Sequence, residues 1–212
     1  TCIALSKQYP SIHPAPGLHP LYLDHHQQQD LVQLDKLCAT KTPVAIGEIG
    51  LDFFHSTAQE SKQRELFAEQ ILIAKKHKLP ILLHARKAHD QVQLVLRKQG
   101  FTQGGIVHAF NGSRQQADVY LEMGFKLGYG GTITYNRAKL IRQLATELPL
   151  SAIVLETDAP DIPLSHRREE KNSPEFLPEI ATTLARLREE SLEDICLQTT
   201  QNAVQVLPKI LS

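Results

Sequence analysis

The chain has 212 residues, of which 42% are hydrophobic and 22% are charged, and its 23 basic residues balance its 23 acidic ones. This composition is typical of one globular domain and excludes a disordered chain. Because the net charge is zero, a general attraction to nucleic acid is excluded, and a polyanion must be recognised by a local patch or a metal. We also expect no membrane association, since no apolar run reaches the ~20 residues that span a bilayer.

The elements predicted along the chain alternate between short apolar strands and amphipathic helices. The residues ahead of position 11 resemble the end of a helix, and a first strand is predicted within residues 11–18, before the turn GLHP. Further strands are predicted at 44–49, 81–83, 105–108, 126–130 and 152–156. Helices are predicted at 27–39, 58–78, 88–98, 113–123, 138–147, 174–189 and 192–207. Ser113 is the expected N-cap of its helix, and Gly124 is expected to end it.

The three cysteines, Cys2, Cys38 and Cys196, are far apart and form no CxxC pair. An odd, scattered set predicts free thiols in a reducing compartment. We therefore expect a cytoplasmic protein without disulfides and without a cysteine metal site.

Four residues with metal-binding side chains each follow one of the apolar runs. They are Glu48 in VAIGEIGLD, His84 in ILLHAR, His108 in GIVHAF and Asp158 in IVLETDAP. Alone, such a glutamate would be read as the partner of an arginine or a helix end, and such a histidine as a hydrogen-bonded core residue. Their repetition at matching positions instead favours a metal site, because imidazole and carboxylate are the usual ligands of zinc, manganese and iron, and carboxylates suit magnesium. The predicted chemistry is metal-assisted hydrolysis.

Regular alternation of buried strands and helices is compatible with a closed eight-stranded (β/α) barrel and with an open doubly wound sheet. Ligands on four separate strand ends favour the barrel, because all strand ends of a barrel surround one mouth. Only about six strands are visible, whereas a barrel has eight strands and ~250 residues. We therefore expect a single barrel domain over residues 1–212 that is incomplete at its amino end.

Four more residues are candidates for the same site. Glu156 lies two residues before Asp158, so both face the same way on an extended strand, and Glu156 is expected to hold a metal ligand in place or to be a structural acid. Asp158 is also expected to accept a proton from the attacking water. Arg86 is expected to contact a phosphate or to form an ion pair, and His19 to line the site or to form a turn. Ser113 begins a helix that would hold a phosphate or is simply capped by it.

The remaining histidines and the run HRREEK at 166–171 have no such setting. The run is expected to be a solvated loop, with Arg167 and Arg168 as alternative contacts of a polyanionic substrate. The histidines expected at the surface are His25, His26, His55, His77, His89 and His166.

The motifs GLHP, VAIGEIGLDFF, PILLHAR, GIVHAFNGS, GGTIT and VLETDAPDIP resemble, in order and spacing, those of the TatD family of metal-dependent DNases. The resemblance covers nearly the whole chain. It implies a TIM barrel of the metal-dependent hydrolase type with two divalent metal ions (Mg, Mn or Zn). It places the bridging glutamate at Glu48 and further ligands at His84, His108 and Asp158. It also implies hydrolysis of DNA, with single-stranded DNA as the expected substrate and 3′-5′ exonuclease activity in some members.

One departure from the family pattern concerns its first strand, which bears an HxH pair. No HxH pair precedes Glu48 here, so we expect that the first two strands of the barrel are absent from this chain. Two alternatives follow, a small-molecule ester or amide hydrolase of the amidohydrolase type and a truncated barrel without turnover. Many small-molecule hydrolases of this class bridge their metals with a carboxylated lysine, so Glu48 favours the nuclease. No obligate protein partner is expected.

Overall fold

The computed structural model of the chain describes residues 2–40, 43–54 and 59–211. The helices are α1 Cys2–Gln8, α2 Gln28–Ala39, α3 Glu60–His77, α4 His89–Lys98, α5 Arg114–Glu122, α6 Lys139–Glu147, α7 Leu177–Arg188 and α8 Leu192–Val206. The strands are β1 Ile46–Asp52, β2 Ile81–Arg86, β3 Gly105–Val107, β4 Phe125–Tyr129 and β5 Ile153–Leu155. Within this described part, no helix is both long enough and apolar enough to cross a bilayer.

The strands follow one another in a single sheet in the order β1-β2-β3-β4-β5. β1 and β2 are parallel, with Gly50 opposite His84, and β4 and β5 are parallel, with Tyr129 opposite Leu155. The chain divides into two compact units, Thr1–Ile106 with Val206–Ser212, and Val107–Gln205. Because parallel strands end at the same edge, each pair brings the residues at its carboxyl end together.

The strands form where apolar side chains are buried. Ile49 and Leu51 of β1 and Leu83 of β2 have no exposed surface, and neither have Phe67 and Ile71 of α3, the helix that packs on β1. Burying a side chain of this size contributes about 1.5–3 kcal/mol. The apolar residues that recur along this part of the sequence therefore form the face by which α3 packs on the sheet.

Helix α5 begins and ends as predicted. Ser113 Oγ accepts a hydrogen bond from the Gln116 backbone N–H at 3.2 Å, and the Gln116 side chain accepts one from the Ser113 N–H at 2.9 Å. This reciprocal pair is a capping box. Gly124 follows the helix with φ of 81°, in the left-handed region where glycine has no steric cost.

The predicted helices are all present, but the first predicted strand, within residues 11–18, is wrong. The carbonyls of Pro14 and Pro16 accept hydrogen bonds from Val44 and Gly47 at 3.1 and 3.0 Å, so the segment runs beside the start of β1. Because prolines have no N–H group to donate, these two hydrogen bonds do not extend into a regular β-ladder. The next strand continues past its predicted end to Asp52, which proves important for the site.

Several smaller expectations have mixed outcomes. Cys38 and Cys196 are free thiols, as predicted. His89 was expected at the surface, but it is only 6% exposed, because it is the first residue of α4, a helix that packs on β1 and β2. The side chain of Cys2, His55 and the predicted helix start at residue 58 lie outside the described residues. The single domain over residues 1–212 stays a prediction.

Candidate metal centre

Glu48 within β1, His84 within β2 and His19, just before the 3₁₀ helix Pro20–His25, converge beside the first strand pair. His84 Nδ1 lies 2.9 Å from Glu48 Oε1 and 3.2 Å from His19 Nε2, and His19 Nε2 lies 3.7 Å from Glu48 Oε2. One donor atom of each residue lies within 4.8 Å of the others. The structure thus brings together three residues that are up to 65 positions apart in sequence.

The glycines of GEIG allow this approach. A Cβ atom on Gly47 would lie 2.4 Å from the Leu82 Cβ, and one on Gly50 would lie 1.9 Å from the His84 carbonyl oxygen. Gly50 also has φ of 146°, which L side chains rarely adopt. Larger residues at either position would push β1 away from β2 and separate Glu48 from His84.

Asp52, which the sequence analysis did not select, lies directly behind His84. Its side chain has no exposed surface, and its Oδ2 atom accepts a hydrogen bond from His84 Nε2 at 2.8 Å. Its Oδ1 atom accepts another from the Phe54 N–H at 3.0 Å. Gln63 holds the Asp52 backbone with two further bonds of 2.8 and 2.9 Å. A carboxylate behind a histidine in this way fixes the ring and leaves the other nitrogen free to bind a metal.

The charges around His84 change its pKa. Burial by itself lowers the pKa of this imidazole, but the hydrogen bonds and negative charges of Glu48 and Asp52 outweigh burial and raise it above its ordinary value. A proton on Nδ1 occupies the same position that a metal ion would take. Proton and metal therefore compete for His84.

The position of His19 combines both of its predicted roles. Nδ1 accepts a hydrogen bond from the Leu21 N–H at 3.2 Å, which caps the following turn. This contact favours the tautomer that carries its proton on Nε2, the atom that faces Glu48. With that proton, Nε2 donates to His84 Nδ1 at 3.2 Å, whereas its 3.7 Å separation from Glu48 Oε2 is too long for a hydrogen bond. His19 has to give up the Leu21 contact before Nε2 can bind a metal.

The donor set fits a divalent ion. Donors held at 2.0–2.2 Å from one zinc in a tetrahedron are about 3.4 Å apart. The two imidazole nitrogens are 3.2 Å apart, and the two Glu48 oxygens lie 2.9 Å from His84 Nδ1 and 3.7 Å from His19 Nε2, all close to that value. Glu48 and His84 are the most direct ligands, because the lone pairs of both point into the cluster. Two imidazoles and a carboxylate accept zinc, manganese or iron, and a carboxylate also accepts magnesium.

A second cluster lies in the other compact unit, where His108 follows β3 and the acids follow β5. His108 Nδ1 lies 3.0 Å from Glu156 Oε1, and His108 Nε2 lies 3.1 Å from Asp158 Oδ1. Glu156 Oε1 also accepts a hydrogen bond from the Ala109 N–H at 2.7 Å, which holds this carboxylate in place. Both acids contact the same ring, but β5 ends at Leu155 and Asp158 has φ of 62°, so they do not share the extended strand that the sequence predicts. Glu156 therefore holds the His108 ring at Nδ1, and Asp158 contacts the same ring at Nε2.

Two other candidate residues have clear structural contacts. The Arg86 guanidinium lies 3.8 Å from the centre of the Phe54 ring, at the carboxyl end of β2. Ser113 is the N-cap of α5, which was its ordinary alternative. A role in substrate binding stays a prediction for both residues.

Comparison with known proteins gives a consistent result. A family model described as TatD related DNase matches residues 1–208. The uncharacterized metal-dependent hydrolase YjjV of Escherichia coli (strain K12) is 39% identical over 202 residues, which cover 94% of this chain and 78% of the relative. A protein of Rahnella sp. (strain Y9602), named 3′-5′ ssDNA/RNA exonuclease TatD, is 34% identical over 194 residues, which cover 88% of this chain and 73% of the relative.

Solved structures agree on the fold. The crystal structure of the TatD homologue YjjV from Escherichia coli K12 superposes with a TM-score of 0.94 at 38% identity and covers 98% of this chain and 81% of that one. A TatD family hydrolase from Entamoeba histolytica has a TM-score of 0.83 at 20% identity, covers 97% of this chain and 79% of that one, and supports the fold alone. The predicted α/β fold of the TIM-barrel hydrolase type is thus confirmed.

Proposed function

The chain belongs to the family of TatD-related DNases, a family of metal-dependent hydrolases, and on that premise we propose that it hydrolyses phosphodiester bonds of single-stranded DNA as a 3′-5′ nuclease. The relative named as an exonuclease supports this substrate class. The observation that carries the proposal is the convergence of Glu48, His84 and His19 in front of the buried Asp52.

The proposal assigns metal ligands in both clusters. Glu48 and His84 are the proposed ligands in the first, and His108 and Asp158 in the second, for two divalent ions of magnesium, manganese or zinc. When bound, such ions stabilise the negative charge that develops on the phosphoryl oxygens. The two histidines bind as neutral rings because a carboxylate, Asp52 or Glu156, accepts a hydrogen bond from the N–H turned away from the ion.

Asp158 is the proposed acceptor of the proton that the attacking water loses. It suits this role because its carboxylate is 31% exposed and therefore open to water, whereas Asp52 is fully buried and already accepts two hydrogen bonds. Glu156 holds the His108 ring and does not need to move during the reaction.

The test is cleavage of a 5′-labelled single-stranded oligonucleotide with magnesium, manganese or zinc. Shortening from the 3′ end is expected. Glu48→Gln and Asp158→Asn should each lower the rate by more than ~100-fold. Loss of a residue that only supports a ligand costs up to ~100-fold, and loss of a ligand itself should cost more. Glu69→Gln is the matched control, since Glu69 is an exposed carboxylate on α3 outside both clusters. It should leave the rate unchanged.

The two alternatives give different results in the same experiment. Hydrolysis of small aryl esters or amides, but not of DNA, would support a small-molecule hydrolase. Calorimetric binding of metal without turnover of either substrate class would support a barrel that no longer turns over. A nuclease rate that Glu48→Gln leaves unchanged would exclude the assigned ligands.

A further inference from the structure

Two arginine side chains, Arg137 and Arg168, contact the aromatic ring of Tyr135. Tyr135 follows the 3₁₀ helix Gly131–Thr134 after β4. The guanidinium carbon of Arg137 lies 5.3 Å from the ring centre, and that of Arg168 lies 5.0 Å from it. Both distances are within the range of cation–π contacts. The half-buried ring thereby contacts two exposed cations, one from the loop after β4 and one from the loop after β5.

These two arginines have no carboxylate partner among the described residues, unlike their neighbours. Arg167, one position before Arg168, is bound to Glu170 at 3.2 Å and to Glu179 at 3.1 Å. Two like charges on one ring repel each other, and in the absence of an acid an external anion would relieve the repulsion. The positive charge at Tyr135 is therefore local and uncompensated in a chain whose net charge is zero.

Hydrogen bonds fasten the two loops that carry the arginines. The Tyr135 hydroxyl donates to the Pro163 carbonyl at 2.8 Å, and the Ser165 N–H donates to Thr134 Oγ1 at 2.8 Å. A Cβ atom on Gly131 would lie 2.4 Å from the Ile162 carbonyl oxygen, so the loops are also closely packed. Because the backbone is already ordered, an anion would not have to organise it on binding.

We propose that Tyr135, Arg137 and Arg168 form a phosphate clamp for a single-stranded nucleic acid, a docking site separate from the metal ligands. Guanidinium groups recognise phosphate through paired N–H donors, and their contact with an aromatic ring keeps them in place. The loops that follow β4 and β5 belong to the set that binds substrate in TIM-barrel enzymes. A strand offers successive phosphates to two neighbouring guanidiniums, which one free phosphate ion does not. The choice of a nucleic acid as occupant rests on the proposed nuclease function.

The test measures binding of a fluorescein-labelled oligothymidylate by anisotropy over a series of salt concentrations, in EDTA so that no cleavage occurs. Arg137→Gln and Arg168→Gln should each weaken binding several-fold and reduce the salt slope by ~0.7, the contribution of one phosphate contact on a single strand. The double variant should lose both contributions. Tyr135→Leu keeps both charges but releases them, and should weaken binding less than the double variant does.

Arg97→Gln is the matched control, because Arg97 is an exposed arginine in the last turn of α4. It should bind like the wild type, and circular dichroism melting should show that every variant is folded. An unchanged salt slope in the double variant, or wild-type protein that does not bind the strand, would overturn the clamp. Competition by inorganic phosphate as strong as by the oligonucleotide would also overturn it in favour of a small phosphate compound.

The outcome is separable from that of the proposed nuclease. Arginine-dependent binding without cleavage under any metal would retain the clamp and reject the nuclease. Cleavage with KM and kcat unchanged in the double variant would retain the nuclease and reject the clamp.

Discussion

Replacing Asp52 with asparagine tests whether this buried carboxylate prepares His84 for metal binding. In the native protein Oδ1 accepts from the Phe54 N–H and Oδ2 accepts from His84 Nε2. Asparagine keeps its oxygen for the Phe54 N–H and turns its NH₂ group towards His84. Because that group only donates, Nε2 has to accept, and the imidazole proton moves to Nδ1. This is the nitrogen that faces Glu48, so the lone pair required by the metal is lost.

The expected effect of Asp52→Asn is a 10- to 100-fold loss of metal affinity, the usual range for a partner behind a ligating histidine. This corresponds to about 1.4–2.7 kcal/mol. The shape of the residue is nearly unchanged, and both polar atoms keep a hydrogen-bond partner. The fold should therefore survive, and the loss should appear in binding of the metal.

Affinity for manganese or zinc is measured by competition with a fluorescent chelator, and the tautomer of His84 by ¹⁵N NMR of the imidazole. Asp35→Asn is the matched control, because Asp35 also contacts a histidine nitrogen, His77 Nε2 at 2.7 Å, but lies on α2 outside the cluster. It should leave metal affinity unchanged. A folded Asp52→Asn protein that binds metal within about twofold of the wild type would refute the reasoning.

Two more predictions concern protons and packing. Because the pKa of His84 is raised and its ring must lose the Nδ1 proton to bind a metal, metal affinity should fall as the pH is lowered through that pKa. Without metal, the ion pairs of protonated His84 stabilise the fold. This stability is fully present below the ordinary histidine pKa and is lost as the pH rises through the raised pKa. Calorimetry in buffers of different ionisation enthalpy should detect proton release on metal binding, and its absence between pH 6 and 8 would contradict this. Tyr129→Phe should stabilise the protein by about 1 kcal/mol and raise its Tm by about 2–4 °C, because the buried Tyr129 hydroxyl has no hydrogen-bond partner among the residues that the structure describes. A lower Tm in differential scanning calorimetry would show that the hydroxyl is satisfied in solution.

The sequence identified the residues whose role can be predicted from a short stretch of the chain around them. Glu48, His84, His108 and Asp158 stand out because each follows an apolar run that is itself sufficient to predict a buried strand. The helices could be predicted for the same reason, since their periodicity and capping residues lie within a few positions of one another. Glu156 and Asp158 both contact the His108 ring, but the strand ends at Leu155, so alternation along an extended segment is not the reason for their pairing.

Other features depend on which strands and loops become neighbours, and only the tertiary structure decided them. Asp52 is one more carboxylate in GEIGLD until the register of β1 and β2 places it behind His84. The Tyr135 ring contacts both arginines only because the loop after β5 brings Arg168 to the ring that Arg137 also contacts. The sequence determined which segments are strands and helices and which side chains can bind a metal, because those are properties of short stretches of chain. Partners far apart in sequence were decided by strand register and loop packing, since hydrogen bonds and ring contacts depend on distances that folding alone sets.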